Sequence, residues 1–199
     1  MKKLESTWYN MAIVLTVISV VAAAALAYVN EVTKGPIEEI KQINKTLALK
    51  TVLCDDNAVI TDTIVNGDVI LYLTDNGAAI ETTDPLNGSF GGGLTIMVGL
   101  DKEFKVLGYT VLETNETPGL GAKADEWFQK GGKGEIVGRK AGQLATTKDN
   151  GDVDAITAST ITTRSFLRAV NNAYAEYAKV VNPNAEADVH TSATAKDMN

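Results

Sequence analysis

Reactive side chains are scarce in this chain. Of its 199 residues one is a cysteine, Cys54, and one is a histidine, His190. A single thiolate cannot hold an iron–sulfur cluster, and one cysteine with one histidine cannot complete a zinc site. A Ser-His-Asp or Cys-His mechanism would have to draw on His190, which sits in a polar C-terminal stretch. Basic charge is also short: Lys and Arg total 18 against 25 Asp and Glu, a formal net charge of −7, and no basic run stands out. Nucleic-acid binding calls for a basic face, so that partner class is disfavoured. A three-glycine Gly-x-Gly-x-x-Gly fingerprint between a strand and a helix is missing, so nothing marks a nicotinamide site. Any redox chemistry carried out here needs an organic cofactor.

What the chain does have is a long apolar run. Met11 to Val29 contains no charged residue and only Thr16 and Ser19 as polar interruptions. At about 1.5 Å per residue it reaches roughly 28 Å, the thickness of a bilayer's hydrocarbon core. Trp8, Tyr9 and Tyr28 fall where interfacial aromatics belong. A signal peptide is the rival reading, with Lys2-Lys3 before the apolar run and small residues at Ala25-Leu26-Ala27. Signal cores are shorter, about 7–15 residues, so the run reads as a retained transmembrane helix. Lys2 and Lys3 precede it while Lys34, Lys41 and Lys45 follow, so charge does not decide its orientation.

The expected organisation is an anchor over 1–30, a stalk helix over 31–54, a folded domain over 55–181 and a polar tail over 182–199. In the stalk, Ile37, Ile40, Ile43 and Leu47 recur at helical spacing, and Gly35-Pro36 would break or kink the helix near its start. Between Ala58 and Thr114, β-rich runs alternate with turns at Asn66-Gly67-Asp68, Asp75-Asn76-Gly77 and Leu100-Asp101-Lys102. Val69–Leu73, Leu94–Val98 and Lys105–Leu112 read as strands, paired antiparallel. Ala122–Gln129 reads as a short helix carrying Trp127 and Phe128. Asp149-Asn150-Gly151-Asp152 reads as a hairpin turn between Leu144–Thr147 and Val153–Ala155. From Ile161 to Val181, Phe166, Leu167, Val170, Tyr174 and Tyr177 mark an amphipathic helix. The fold class is α+β: an antiparallel sheet with flanking helices and one membrane anchor.

Three segments stand out as chemistry. Asp154-Ala155-Ile156-Thr157-Ala158-Ser159-Thr160-Ile161-Thr162 places hydroxyls at a helix entry, which suits a phosphate or, equally, an ordinary helix cap. Glu116-Thr117-Pro118-Gly119-Leu120-Gly121 suits a backbone lying against a flat ring, or a tight strand-to-helix turn. Gly88-Ser89-Phe90-Gly91-Gly92-Gly93 is either a flexible loop or one wedged against something flat. Arg164 reads as a phosphate contact or a solvated helix cation, Thr95 as a donor to a ring carbonyl or a plain strand residue, and Trp127 as core or as a neighbour of the ring. Asp154 reads as a recognition residue, or as one that closes the hairpin or caps the helix.

In this order, behind one apolar span, the three segments resemble the FMN-binding domain of Rnf and Nqr redox-complex subunits. In that family a threonine in a pattern close to Asp-x-x-Ser/Thr-Gly-Ala-Thr carries FMN through a phosphoester. The resemblance puts the acceptor at Thr160, with Ala158 where the pattern has Gly and Ser159 where it has Ala. The diester's charge is expected to be met by the main-chain N–H groups of Thr162 and Thr163 and the hydroxyls of Thr157 and Ser159, and the ring by Glu116, Thr117, Gly119 and Leu120. The resemblance also implies an electron-transfer subunit of an ion-translocating complex: the G subunit of an Rnf-type ferredoxin:NAD⁺ oxidoreductase, or else the C subunit of a Na⁺-translocating NADH:quinone reductase. Its implied partners are the other membrane and redox subunits and a separate flavin transferase that moves FMN from FAD with magnesium. Its implied place is the inner (plasma) membrane, single-pass, with the flavin domain on the periplasmic side. A cofactor-free membrane-anchored scaffold and a free-standing flavin reductase are the rivals from other classes.

Overall fold

The computed structural model of this chain describes residues 7–55, 58–86 and 88–182. Most of the expected polar tail, His190 included, lies outside the described residues. Two compact units divide the chain, 1–44 and 45–199, with the boundary inside the first helix. That helix, α1, runs from Trp8 to Leu53. Its apolar part is long and apolar enough to cross a membrane, and no share of it is buried within the protein. Thr16 and Ser19, the polar interruptions, donate their hydroxyls to the carbonyls of Ala12 and Leu15 at 2.9 and 2.8 Å, so neither side chain leaves an unsatisfied donor. The expected break at Gly35-Pro36 is not there: the helix continues through Pro36. A proline costs a helix one hydrogen bond and some crowding, which the helical residues on both sides outweigh here.

The second unit is built on an antiparallel meander of five strands in sequence order. The strands are β1 (Ile60–Asn66), β2 (Val69–Thr74), β3 (Gly77–Thr83), β4 (Leu94–Asp101) and β5 (Val106–Thr114). The three expected strands are β2, β4 and β5. Outer-edge β1 is almost wholly exposed, and β3 (Gly-Ala-Ala-Ile-Glu-Thr-Thr) has too little apolar alternation to read as a strand alone. Leu71, Ile80, Ile96, Val98 and Tyr109 point to one face, where helix α3 (Thr160–Val181) lays down Phe166, Val170 and Ala173. Phe166 is the hub there, stacked on Phe128 at 4.4 Å between ring centroids and edge-on to Tyr109 at 4.8 Å. The Tyr109 hydroxyl donates to the Ala124 carbonyl at 2.6 Å and accepts from the Phe128 N–H at 3.2 Å. These bonds moor the short helix α2 (Ala124–Trp127) to β5.

The last turns of α1 cover the other face, with Ala48 and Val52 against Ala79 and Met97. Lys45 pairs there with the nearly buried Glu81 at 2.9 Å. Gly99 and Gly108 lie opposite one another on β4 and β5 and leave that face flat. A Cβ at Gly99 would collide with the Val52 carbonyl, whereas one at Gly108 would stay 3.5 Å from the α1 backbone.

Beyond α2 the chain is irregular. The expected hairpin at 144–155 is instead a loop: Thr146 and Val153 form a parallel bridge, and a 3-10 turn spans Thr147–Asp149. Asn150 ends that turn in the left-handed region at φ 61°, the geometry that the Asp-Asn-Gly-Asp signal announces, but without flanking strands. The glycine pair makes the packing of α1 testable. Gly99→Ala should cost the folded domain about 1–3 kcal/mol through overpacking, and Gly108→Ala less than about 1 kcal/mol. Denaturant midpoints of the two variants beside the unaltered chain measure the difference.

Candidate functional site

Three of the four anchors of the site are polar side chains that neutralise loop backbone. The loop after β3 has no strand to pair with, and Asp84 organises it. This carboxylate is buried and accepts from the N–H groups of Leu86 (3.2 Å) and Gly88 (2.8 Å). From α3 it accepts Ser165 Oγ at 2.8 Å and a fork from Arg168, with Nε at 3.0 Å and Nη2 at 2.7 Å. Burial alone would push the Asp84 carboxyl up; the bonds from Arg168, Ser165 and the two N–H groups more than offset it and hold it below its ordinary value.

Glu116 draws the next two segments together. It is buried, and its Oε1 accepts the Gly91 N–H at 3.2 Å. A Cβ at Gly91 would strike the Asn115 carbonyl, so the glycine-rich loop lies directly on the chain that leads into Glu116. On the other side, a Cβ at Gly121 would strike the Glu116 carboxylate and come within 2.7 Å of Thr162 Oγ1. Glycines 91 and 121 therefore permit the contact through which all three sequence segments meet. Gly119 takes a positive φ of 79°, and the Thr117 carbonyl accepts from Leu120 N and Ala122 N, closing the turn.

The helix entry is held from within. Ser159 is the residue before α3 and is buried; its Oγ donates to Thr162 Oγ1 at 2.8 Å. The Thr163 N–H and Oγ1 both donate to the Ser159 carbonyl, while the Ile156 N–H donates to Thr163 Oγ1 at 3.0 Å. The Ser159 hydroxyl and the Thr163 N–H, expected as phosphate donors, are thus spent inside the turn. Thr157 is exposed and Thr160, the first residue of α3, is half-buried. Thr160 Oγ1 accepts from Lys148 Nζ at 3.1 Å. Ala158, at the pattern's glycine position, has φ 61°, a left-handed conformation that strains any residue with a Cβ.

The fourth anchor is an ion pair. Arg164 forks onto Asp149, Nε to Oδ2 at 2.8 Å and Nη2 to Oδ1 at 2.7 Å, and Thr146 Oγ1 donates to the same carboxylate at 2.7 Å. Arg164 is directed at Asp149, and the Arg164 bond holds the Asp149 carboxyl below its ordinary value. Thr95 pairs with Thr83 across the strands at 3.2 Å. Trp127 packs partly into the core and donates Nε1–H to the Asp154 carbonyl at 2.8 Å, while the Asp154 side chain is exposed.

Each of the three segments also presents one exposed apolar side chain: Phe90 at 77 %, Leu120 at 41 % and Ile161 at 54 %. A pocket of 190 Å³ lies between β5 and Gly121, lined by Leu94, Val111, Thr114 and Ala122. That is below the roughly 300–1,000 Å³ of an enclosing ligand site. Nothing in the sequence marks Asp84, Lys148 or Arg168 for the site, and Asp149 reads there only as a turn residue. Asp84 and Arg168 lie 84 positions apart and Lys148 is one of many surface lysines, so no local pattern singles them out.

Residues 89–175, which carry the glycine loop, the Glu116 turn and the helix entry, match the FMN-binding domain family. The G subunit of the Na⁺-translocating ferredoxin:NAD⁺ oxidoreductase complex of Acetobacterium woodii is 32% identical, over 85% of this chain and 93% of its own length. The G subunit of an ion-translocating oxidoreductase complex from Yersinia pestis is 33% identical over 81% and 86%. Its counterpart in Shewanella amazonensis is 30% identical over 80% and 83%. This chain belongs to the G-subunit family of ion-translocating oxidoreductase complexes. The match to the FMN-binding domain begins at Ser89, in the glycine-rich loop before β4, and ends at Ala175, inside α3, so it takes in the three converging segments.

This geometry is open to test at its carboxylates and at its strained alanine. Asp84 and Asp149 both have carboxyl groups lowered on folding, so their contribution is complete above the ordinary carboxylate value of 3.8 and is lost as pH falls through the folded values. Thermal midpoints should hold from neutral pH to about pH 5 and fall below about pH 4; Asp84→Asn should cost about 2–3 kcal/mol at neutral pH and flatten the acid drop. At the helix entry, Ala158→Gly should relieve the left-handed strain and raise stability by about 0.5–1 kcal/mol. Chemical denaturation of this variant beside the parent chain reads the change directly.

Proposed function

We propose that this chain is the membrane-anchored electron-transfer subunit of an Rnf-type ion-translocating oxidoreductase, and that it carries FMN as a phosphodiester on Thr160. The observation that carries this reading is the meeting of the three segments at Glu116, with a half-buried threonine hydroxyl at the start of α3 beside a lysine ammonium. FMN held there supplies the reversible uptake and release of electrons that no side chain of this chain offers. Thr160 is the tether. Gly91 and Gly121 admit close backbone approach, Phe90, Leu120 and Ile161 offer apolar surface to a flat ring, and Gly119 shapes the turn behind Leu120. Glu116 fixes the loops from beneath, and Thr157 stands exposed at the entry.

A covalent bond suits this architecture. The pocket is too small to enclose a flavin nucleotide, and a cofactor lying on an open surface would leave by mass action unless tethered. Among the described residues no side-chain base is hydrogen-bonded to Thr160 Oγ1, which accepts from Lys148, and this favours attachment by a separate flavin transferase. The match to an FMN-binding domain weighs against a cofactor-free scaffold, and the G-subunit names of the relatives favour the Rnf type over the C subunit of a NADH:quinone reductase. The apolar stretch of α1 then anchors the protein in the plasma membrane. On the family likeness the flavin domain faces the extracytoplasmic side, where electrons enter and leave through the other membrane and redox subunits.

The test is the intact mass of the full-length chain co-expressed with a flavin transferase, together with flavin fluorescence on a denaturing gel. The parent chain should gain the mass of FMN less one water. Thr160→Ala should gain nothing while melting at the same temperature. Covalent flavin persisting in that variant would move the attachment to Thr157 or Thr162, and a colourless parent chain would return the protein to the scaffold class.

A further inference from the structure

We propose that Lys148 is the counter-cation of the Thr160 phosphodiester, aimed at the acceptor oxygen before the flavin arrives; the inference rests on the attachment proposed above. Lys148 Nζ lies 3.1 Å from Thr160 Oγ1, across twelve positions of sequence. The backbone beneath the lysine is fixed, because Lys148 is the middle residue of the 3-10 turn Thr147–Asp149. Thr147 N donates to the Val153 carbonyl at 2.9 Å, and Asp149 N and Gly151 N donate to the Thr146 carbonyl at 2.8 and 2.9 Å. The Asp149–Arg164 fork then fastens this turn to α3 one helical turn along from Thr160. A long, exposed lysine is thereby delivered to one hydroxyl.

Two arginines near it are already matched by carboxylates. Arg164 is matched by Asp149, and Arg139 by Asp152 at 2.6 Å. Asp154 presents an exposed carboxylate on the approach to the helix. The Lys148 ammonium is thus the cation hydrogen-bonded to the acceptor, and its single charge equals that of a phosphodiester. Lysine serves phosphate as a compact point charge, and charge-assisted N–H···O bonds are the stronger kind. Before loading, the same ammonium favours negative charge on Oγ1 as that oxygen becomes a nucleophile. Loading forms a P–O bond between Thr160 Oγ1 and the FMN phosphorus of a flavin dinucleotide and breaks that dinucleotide's pyrophosphate P–O bond. AMP leaves, and the hydroxyl proton passes to a base of the transferase. Once the diester is formed, the ammonium is in reach of its oxygens.

The experiment compares full-length parent, Lys148→Met and Lys148→Arg chains, each incubated with flavin transferase, magnesium and FAD. Loading is followed by intact mass, the unloaded chains are melted, and the phosphorus resonance of each loaded chain is recorded. Lys148→Met should load about ten-fold more slowly, the effect of losing one charge-assisted bond in the transition state. Its loaded form should show a displaced phosphorus resonance. Lys148→Arg should stay within about two-fold of the parent in rate and keep a resonance close to the parent's, since it retains the charge. All three should melt together, because the lysine is exposed. A Lys148→Met chain that loads at the parent rate with the parent's phosphorus resonance overturns the proposal, as does a Lys148→Arg chain no faster than Lys148→Met. A parent chain that gains no flavin mass overturns the attachment itself and this inference with it, whereas a loaded parent beside an indifferent Lys148→Met overturns only the role of the lysine.

Discussion

The loop that leaves β3 must travel from Asp84 to Gly93 before β4 begins, and no strand pairs with it; its backbone must find partners elsewhere or stay in water. Asp84 supplies them. One buried carboxylate takes two loop N–H groups on one side and Ser165 with Arg168 of α3 on the other. The glycine-rich loop is thereby fixed relative to the helix whose first residue is Thr160. Glu116 repeats the device one segment on, joining Gly91 to the turn that ends at Gly121 beside Thr162. Without the first carboxylate the second would have nothing set in place to bond, so the site's geometry depends on a charge buried where only hydrogen bonds and a guanidinium make burial tolerable.

The sheet serves this arrangement by keeping one face for each helix. Alternation along β2, β4 and β5 sends Leu71, Ile96, Val98 and Tyr109 to α3, and the opposite positions to the end of α1. The small residues Ala79, Gly99 and Gly108 let α1 lie close to its face. The large aromatics Tyr109, Phe128 and Phe166 fill the other and fix how α3 sits, and with it where Thr160 emerges. The position of a surface hydroxyl is thus set by core packing several residues away.

Among the described residues the candidate site encloses little: the pocket beside β5 and Gly121 measures 190 Å³. Its exposed Phe90, Leu120 and Ile161 offer surface rather than a cavity. On the reading proposed above, a flavin on such a surface would be accessible to neighbouring redox centres from several directions. On the attachment proposed above, the same openness would remove the burial that holds most cofactors, and the covalent tether would restore retention without closing the access.

Much of this is legible in the sequence. The apolar run of α1, the α3 periodicity and the strands β2, β4 and β5 follow from composition and spacing, because hydrophobic period and turn residues act locally. The three site segments are also legible, since glycine, proline and hydroxyl residues mark backbone that must bend or approach closely. Other features have no local signature. Whether Pro36 breaks a helix depends on what continues it on both sides. β3 is a strand because β2 and β4 pair with it, not because Gly-Ala-Ala-Ile demands it. Asp84 finds Arg168, Asp149 finds Arg164, and Lys148 finds Thr160 only once the chain has folded, because their partners are brought close by packing rather than by sequence distance. The sequence by itself determined which segments could bend, span or cap. Tertiary structure decided which charges face Thr160, since electrostatic contacts depend on position in space and leave no periodic trace along the chain.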